Sequence, residues 1–209
     1  MGTIWGRKVY NIFMRSQEKI LLAGASFWWL GEGLFGPLFA IFAGRVGGSV
    51  LDISWAWATY LLVTGVLEIF VGKISDKIGH AKLMIVGYGL NAVFTFGYLF
   101  IHSPFGLFFV QAGLGVALAL ADPTWDALYA KFEDRRRAGY IWGLEHGIEE
   151  LITGASIFIG GLIVSYFSFT LLFVIMGVIQ TVGTIVQAKI LYTRHKKNKA
   201  ENKAEIELA

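Results

Sequence analysis

Cysteine is absent from the 209-residue chain, which removes disulfides, thiolate metal ligands and cysteine nucleophiles. Charge is scarce. Asp, Glu, Lys and Arg make up 16% of the residues, against about 25% in an ordinary soluble domain. Hydrophobic residues reach 56%, aromatic residues 15%, and mean hydropathy is +0.60. These values exclude a disordered chain and a collagen-like repeat. The net charge is +3, but the basic residues lie in short clusters between long apolar runs. No basic folded face results, and no nucleic-acid partner is expected. No metal and no cofactor is expected either.

What is present is a series of six apolar runs, each near or above the roughly 20 residues that cross a bilayer core. They are Ile20–Gly44, Ile53–Gly72, Leu83–Ile101, Pro104–Ala130, Ala138–Tyr166 and Phe167–Ala188. The chain therefore reads as an all-α integral membrane protein. A cytoplasmic segment 1–19 precedes a bundle over 20–192, and a polar tail over 193–209 follows it. The first run is too long, and too soon followed by another, for a cleaved signal peptide. Within 1–19, Trp5, Val9, Ile12 and Phe13 share one side of a short helix or belong to a solvated lead-in.

The basic residues decide orientation. Arg7, Lys8, Arg15 and Lys19, then Lys73, Lys77 and Lys82, then Lys131 and Arg135–Arg137, and finally Lys189 with five in the tail, all fall on one side. Only Arg45 falls on the other, so seventeen oppose one. The positive-inside rule puts both termini in the cytoplasm, and the expected location is the cell (plasma or inner) membrane, with lipid as a surrounding partner.

Lys and Arg are missing from the interior of every span, whereas seven carboxylates lie within them. Each buried ion costs at least ~2.5–3.5 kcal/mol on insertion scales, so such acids should face protein or water. The acids are Glu32, Glu68, Asp122, Asp126, Glu145, Glu149 and Glu150, all on the first, second, fourth and fifth spans. These four spans are expected around a polar space, with the third and sixth toward lipid or packing. At about 100° per residue, Ala25, Trp28, Trp29, Glu32 and Gly36 cluster on one face. Gln111, Gly115, Asp122, Trp125 and Asp126 form a second stripe, and Trp57, Leu61, Thr64 and Glu68 a third. Glu145, His146, Glu149, Thr153 and Ser156 form a fourth, with Glu150 at its edge.

Depth ranks these acids. Glu32 and Glu149 are near mid-span and are the candidates for carrying a proton. Asp126 and Glu145 lie near span ends, where capping or snorkelling explains them. Asp122 either satisfies backbone groups freed near Pro123 or serves the polar space. His146 is either a relay partner, one turn before Glu150, or a packing histidine. The acidic bias disfavours an anionic solute. It favours protons, a cation, or a neutral polar molecule held by carboxylates and by Trp28 and Trp29.

The loop between the second and third spans reads GKISDKIGHAK, residues 72–82. It resembles the signature loop of the major facilitator superfamily, G-x-L-a-D-r-x-G-r-[RK]. Gly72, Ile74, Asp76, Lys77 and Gly79 match in place, while His80 and Ala81 depart. The segments GEGLFGP (31–37), DPTWDALYAKFED (122–134) and WGLEHG (142–147) agree with a half-length member. The resemblance covers residues 20–192, one half of the usual twelve-span protein. It implies two inverted three-helix repeats, and a parallel homodimer as the way to complete a transporter. It also implies that Asp76 docks near a helix N-terminus of the opposite half in the outward-open state. Two features depart: Gln111 stands where many members carry Arg, and the drug-antiporter signature keeps Gly160 and Gly161 but has Ser156 and Ile157 for Gly-Pro.

The resulting expectation is a proton-coupled secondary transporter for a small cationic or neutral polar solute, not an enzyme, working by alternating access of a homodimer. Its site would comprise Glu32, Glu149, Trp28, Trp29, Gln111, Asp122, Glu150 and His146, with Gly72, Asp76, Lys77 and Gly79 as the conformational motif. One half of a heteromeric transporter and a non-transporting scaffold are the alternatives. An intramembrane hydrolase is disfavoured: GASI (154–157) resembles the rhomboid G-x-S-G only loosely, and the sixth span has no His.

Overall fold

The computed structural model describes residues 16–208, with side chains described through 191; the amphipathic stretch around Trp5–Phe13 lies outside them. Among the described residues every regular element is helical. Seven α-helices run in the order α1 (Ser16–Phe35), α2 (Leu38–Arg45), α3 (Val50–Ile78), α4 (His80–Gly97), α5 (Pro104–Phe132), α6 (Ala138–Tyr166) and α7 (Phe169–Leu208). Five are individually long and apolar enough to cross a membrane, and α1 with α2 makes a sixth span bent by 52°.

The first apolar run, Ile20–Gly44, is therefore broken rather than continuous. The bend falls at Gly36–Pro37, between α1 and α2, where proline has no N–H to donate and crowds the preceding turn. Pro123, by contrast, sits inside an unbroken α5. There the Thr124 hydroxyl donates to the Leu120 carbonyl at 2.6 Å and to that of Ala121 at 3.0 Å. These are back-bonds within the helix and do not reach the Ala119 carbonyl, which loses its donor at the proline; Asp122 is an exposed side chain.

Turn chemistry sets the other boundaries. Ser49 caps α3 in a reciprocal box: its hydroxyl accepts from the Asp52 N–H at 3.2 Å, and its own N–H donates to Asp52 Oδ2 at 2.9 Å. Gly79 alone separates α3 from α4, with φ at 101°, a conformation that side chains strongly resist. Its N–H donates to the Ser75 carbonyl at 2.8 Å.

The helices form an arc. α1 packs on α6 and α7, α5 packs on α3 and α4, and α4 meets α7 at the back; α1 and α5 face each other across a shallow contact. The flanking helices α3 and α6 are barely covered, with 11% of their most apolar stretch buried, against 50% for α5. Lipid offers no hydrophobic drive to join apolar helices, so close packing must hold them. The tight seams carry glycine. A Cβ at Gly87 would meet the Ala117 carbonyl oxygen at 2.6 Å, and one at Gly115 the Tyr60 carbonyl oxygen at 2.7 Å. One at Gly160 would collide with the Leu34 carbonyl. At the end away from the basic loops, Phe35, Phe39, Phe42, Tyr98, Phe169 and Phe173 form an edge-to-face and stacked cluster.

Candidate functional site

Two cavities lie along α1 and α5. The first, about 390 Å³ and at the end bearing the basic loops, is walled by Trp28 and Trp29 of α1, Tyr88 of α4, and Asp122, Trp125 and Asp126 of α5. Trp142, Glu145, His146 and Glu149 of α6 complete it, and no Lys or Arg is among its lining residues. The second, about 260 Å³, is walled by Glu32, Trp57, Tyr60, Tyr98 and Gln111, with Thr153 of α6.

The first cavity mixes indoles and carboxylates: α1 contributes indoles and no acid, whereas α5 and α6 each contribute an indole and two acids. Trp28 lies 4.7 Å from Tyr88, and Trp29 meets Trp125 edge-on at 6.5 Å. Trp125 stacks on Tyr129 at 4.7 Å, and Tyr129 meets Trp142 edge-on at 5.2 Å. The Trp125 indole N–H donates to the Leu21 carbonyl at 3.3 Å, which fixes its ring against α1. Opposite, His146 Nδ1 lies 3.1 Å from Glu145 Oε2 and 3.6 Å from Glu149 Oε2. Helical spacing explains this: positions three and four before Glu149 are its surface neighbours. His146 thus faces Glu145 and Glu149 rather than Glu150, which is exposed and does not line the cavity.

Glu32 and Gln111 belong to the second cavity, apart from Trp28, Trp29, Asp122, His146 and Glu149. Glu32 Oε1 accepts from Asn91 Nδ2 at 3.1 Å and from Gln180 Nε2 at 3.3 Å. Gln180 also donates to the Trp28 carbonyl at 3.3 Å. The Tyr98 hydroxyl donates to Gln111 Oε1 at 3.3 Å, while Gln111 Nε2 is buried without a hydrogen-bond partner among the described residues. An amide donor in the aromatic pocket at the position of Gln111 leaves that wall uncharged.

The amides of α4 and α7 are neighbours of these residues that the distribution of charge does not mark. Gln180 packs over Gly31 and Gln187 over Gly24, two residue pairs each seven apart on antiparallel helices. A Cβ at either glycine would enter the space that the amide occupies and would displace the glutamine side chain. Gln187 Nε2 donates to the Leu21 carbonyl at 3.0 Å and to the Tyr88 hydroxyl at 3.1 Å. The available signal was Asn91, Gln180 and Gln187 standing in spans otherwise poor in polar groups. The loop motif is simpler: Gly79 makes the turn, Asp76 is 80% exposed with His80 Nε2 at 3.3 Å, and Gly72 and Lys77 are exposed.

A family model described as the Major Facilitator Superfamily matches residues 21–208. The uncharacterized MFS-type transporter MJ1560 of Methanocaldococcus jannaschii is 26% identical over 157 residues, which are 75% of this chain and 41% of that protein. The multidrug efflux protein YfmO of Bacillus subtilis is 35% identical over 66 residues, 32% of this chain and 17% of its own. The multidrug resistance protein MdtG of Salmonella schwarzengrund is 23% identical over 131 residues, 60% of this chain and 32% of its own. The chain thus spans less than half the length of these relatives. With a match running from α1 through α7, across the 72–82 loop and the residues of both cavities, the chain is a multi-pass membrane protein that belongs to the major facilitator superfamily.

Proposed function

We propose that this chain is one bundle of a secondary active transporter, that a second copy in the same orientation supplies the other, and that the dimer moves a small cationic or neutral polar solute by proton-coupled alternating access. The observation that carries this reading is the first cavity: indoles and carboxylates interleaved on α5 and α6 opposite the indoles of α1, with no Lys or Arg among its lining residues. Such a chamber attracts a cation electrostatically, and indole faces add about 0.5–2 kcal/mol for a cation seated on them. The relatives named as multidrug proteins agree with an organic solute. Glu149, on the cavity wall, or Glu32, in the amide cradle, carries the proton. A neutral carboxyl is cheaper to enclose than an ionised one, so protonation biases the access state.

Two further observations support a facing copy. The neighbours exchange when α1–α3–α4 is swapped with α5–α6–α7: α1 packs on α6 and α7 as α5 packs on α3 and α4. This is the pattern of inverted repeats, with α3 and α6 as equivalent flanks. Those flanks also hold glycines with open space beside them: Gly65 and Gly72 on α3, and Gly139, Gly143, Gly147, Gly154 and Gly161 on α6. The five on α6 fall within an arc of roughly 80° at helical spacing, a surface suited to close approach of another helix. With both termini cytoplasmic in the cell membrane, two copies assemble without inversion.

The test is uptake of a fluorescent organic cation into proteoliposomes under an imposed pH gradient. Gradient-driven flux that is lost in Glu149→Gln or Glu32→Gln, with assembly intact, supports the assignment; wild-type flux in both removes it. Because the chain has no native cysteine, Gly72→Cys/Gly143→Cys reads the assembly directly. Oxidation to a covalent dimer supports a like-oriented copy. An exclusively monomeric product favours a different partner half, and absence of any flux favours a scaffold.

A further inference from the structure

Glu145, His146 and Glu149 present one oxygen, one nitrogen and one oxygen within 4.8 Å of one another. We propose that these three side chains bind a divalent first-row transition cation, of which Zn²⁺ is the type, at the mouth of the acidic cavity.

The geometry suits a single ion. Zinc bonds to nitrogen and carboxylate oxygen run about 2.0–2.2 Å, and tetrahedral coordination then separates neighbouring ligand atoms by roughly 3.3–3.6 Å. His146 Nδ1 stands 3.1 Å from Glu145 Oε2 and 3.6 Å from Glu149 Oε2. The mixed imidazole and carboxylate donor set selects borderline cations over Ca²⁺ or Mg²⁺, which prefer oxygen alone. Two carboxylates and a neutral imidazole balance a dication.

A second observation stands apart from the clustering. The Glu145 side chain is 5% exposed, and its buried Oε2, 3.1 Å from His146 Nδ1, accepts no well-directed hydrogen bond among the described residues. A buried carboxylate oxygen without an aligned donor is poorly compensated for its lost hydration, and a cation shared with His146 and Glu149 supplies what it lacks. Access is open, because His146 is 66% exposed and Glu149 39%. Asp122 and Asp126 line the same cavity, which adds negative potential and oxygen groups for the water molecules that fill the remaining coordination positions. Trp142, 6.0 Å from the imidazole, backs the ring from the preceding turn of α6.

This inference concerns binding at equilibrium and does not depend on the transport reading. The experiment titrates the full chain, purified in detergent, with CoCl₂ and follows visible d–d absorption, then displaces the cobalt with ZnCl₂. Saturable binding of one Co²⁺ per chain, reversed by Zn²⁺, is the expected result. His146→Ala, at an exposed position that the fold does not need, should weaken binding by about tenfold or more, as should Glu149→Gln. His102→Ala, in the loop at the far end of the bundle, should leave it unchanged. No saturable spectrum in the wild type, or equal affinity in His146→Ala, overturns the site, whatever the flux assay reports.

Discussion

Replacing Gly160 by alanine tests whether glycine seams hold this bundle together. The added methyl would point at the Leu34 carbonyl of α1, which is backbone and cannot rotate aside, so α1 and α6 must part. From the other helix, a Cβ on Gly33 would lie 2.7 Å from Ser156 Cβ and 3.0 Å from the Thr153 carbonyl oxygen; the seam is closed on both sides. A separation of about 0.5–1 Å forfeits a quarter to a half of each ~0.1–0.2 kcal/mol heavy-atom contact. Over roughly a few dozen contacts the loss is about 1–3 kcal/mol, the usual range for overpacking. Alanine returns about 0.8–1 kcal/mol of helix propensity, which leaves a net cost of up to about 2 kcal/mol. At about 2–4 °C per kcal/mol for a chain of this size, the midpoint of thermal unfolding in detergent should fall by up to about 8 °C. Gly143→Ala, whose methyl meets nothing within 4 Å, is the control, and its midpoint should hold or rise. A Gly160→Ala protein that melts at or above the wild-type temperature would refute the reasoning.

Gln180→Leu and Asn91→Leu each remove one of the two amide donors to Glu32 Oε1. Each should cost about 1–3 kcal/mol by leaving a buried carboxylate underserved, and Glu32→Leu combined with Gln180→Leu should recover much of it; strictly additive melting shifts would show that the three do not act as a unit. Asp76→Asn should leave the melting temperature unchanged, because Asp76 is 80% exposed and its ion-pair neighbour among the described residues is the His80 ring at 3.3 Å. It should shift the proposed dimer toward inward opening by removing about 0.3–1 kcal/mol of attraction to the partner's helix N-terminus. Accessibility of introduced cysteines, unaltered on both sides of the membrane, would contradict that role.

Much of the architecture was legible because the bilayer imposes a length and a polarity that can be counted along the chain. Runs of apolar residues and the absence of Lys and Arg within them marked the spans, and the 72–82 loop pointed to the family. The side chains of the cavity were legible only in groups. The stripe Trp28–Trp29 and the stripe His146–Glu149 do line one chamber, as helical periodicity allows. Glu32 and Gln111, however, line another, since sharing a helix face says nothing of depth relative to a bend such as that at Pro37. The amides Asn91, Gln180 and Gln187 are neutral and leave no mark in the distribution of charge, whereas what holds the acid Glu32 is a neutral donor from another helix.

Composition and periodicity alone thus determine that this chain spans a membrane with its acids on four spans, because lipid penalises every misplaced charge locally. Which acids share a chamber, which glycine admits which glutamine, and that α3 and α6 stand uncovered at the flanks were decided by tertiary packing. Those facts depend on contacts between residues more than a hundred positions apart, such as Gln180 with Glu32, and no local pattern encodes the register in which two helices meet.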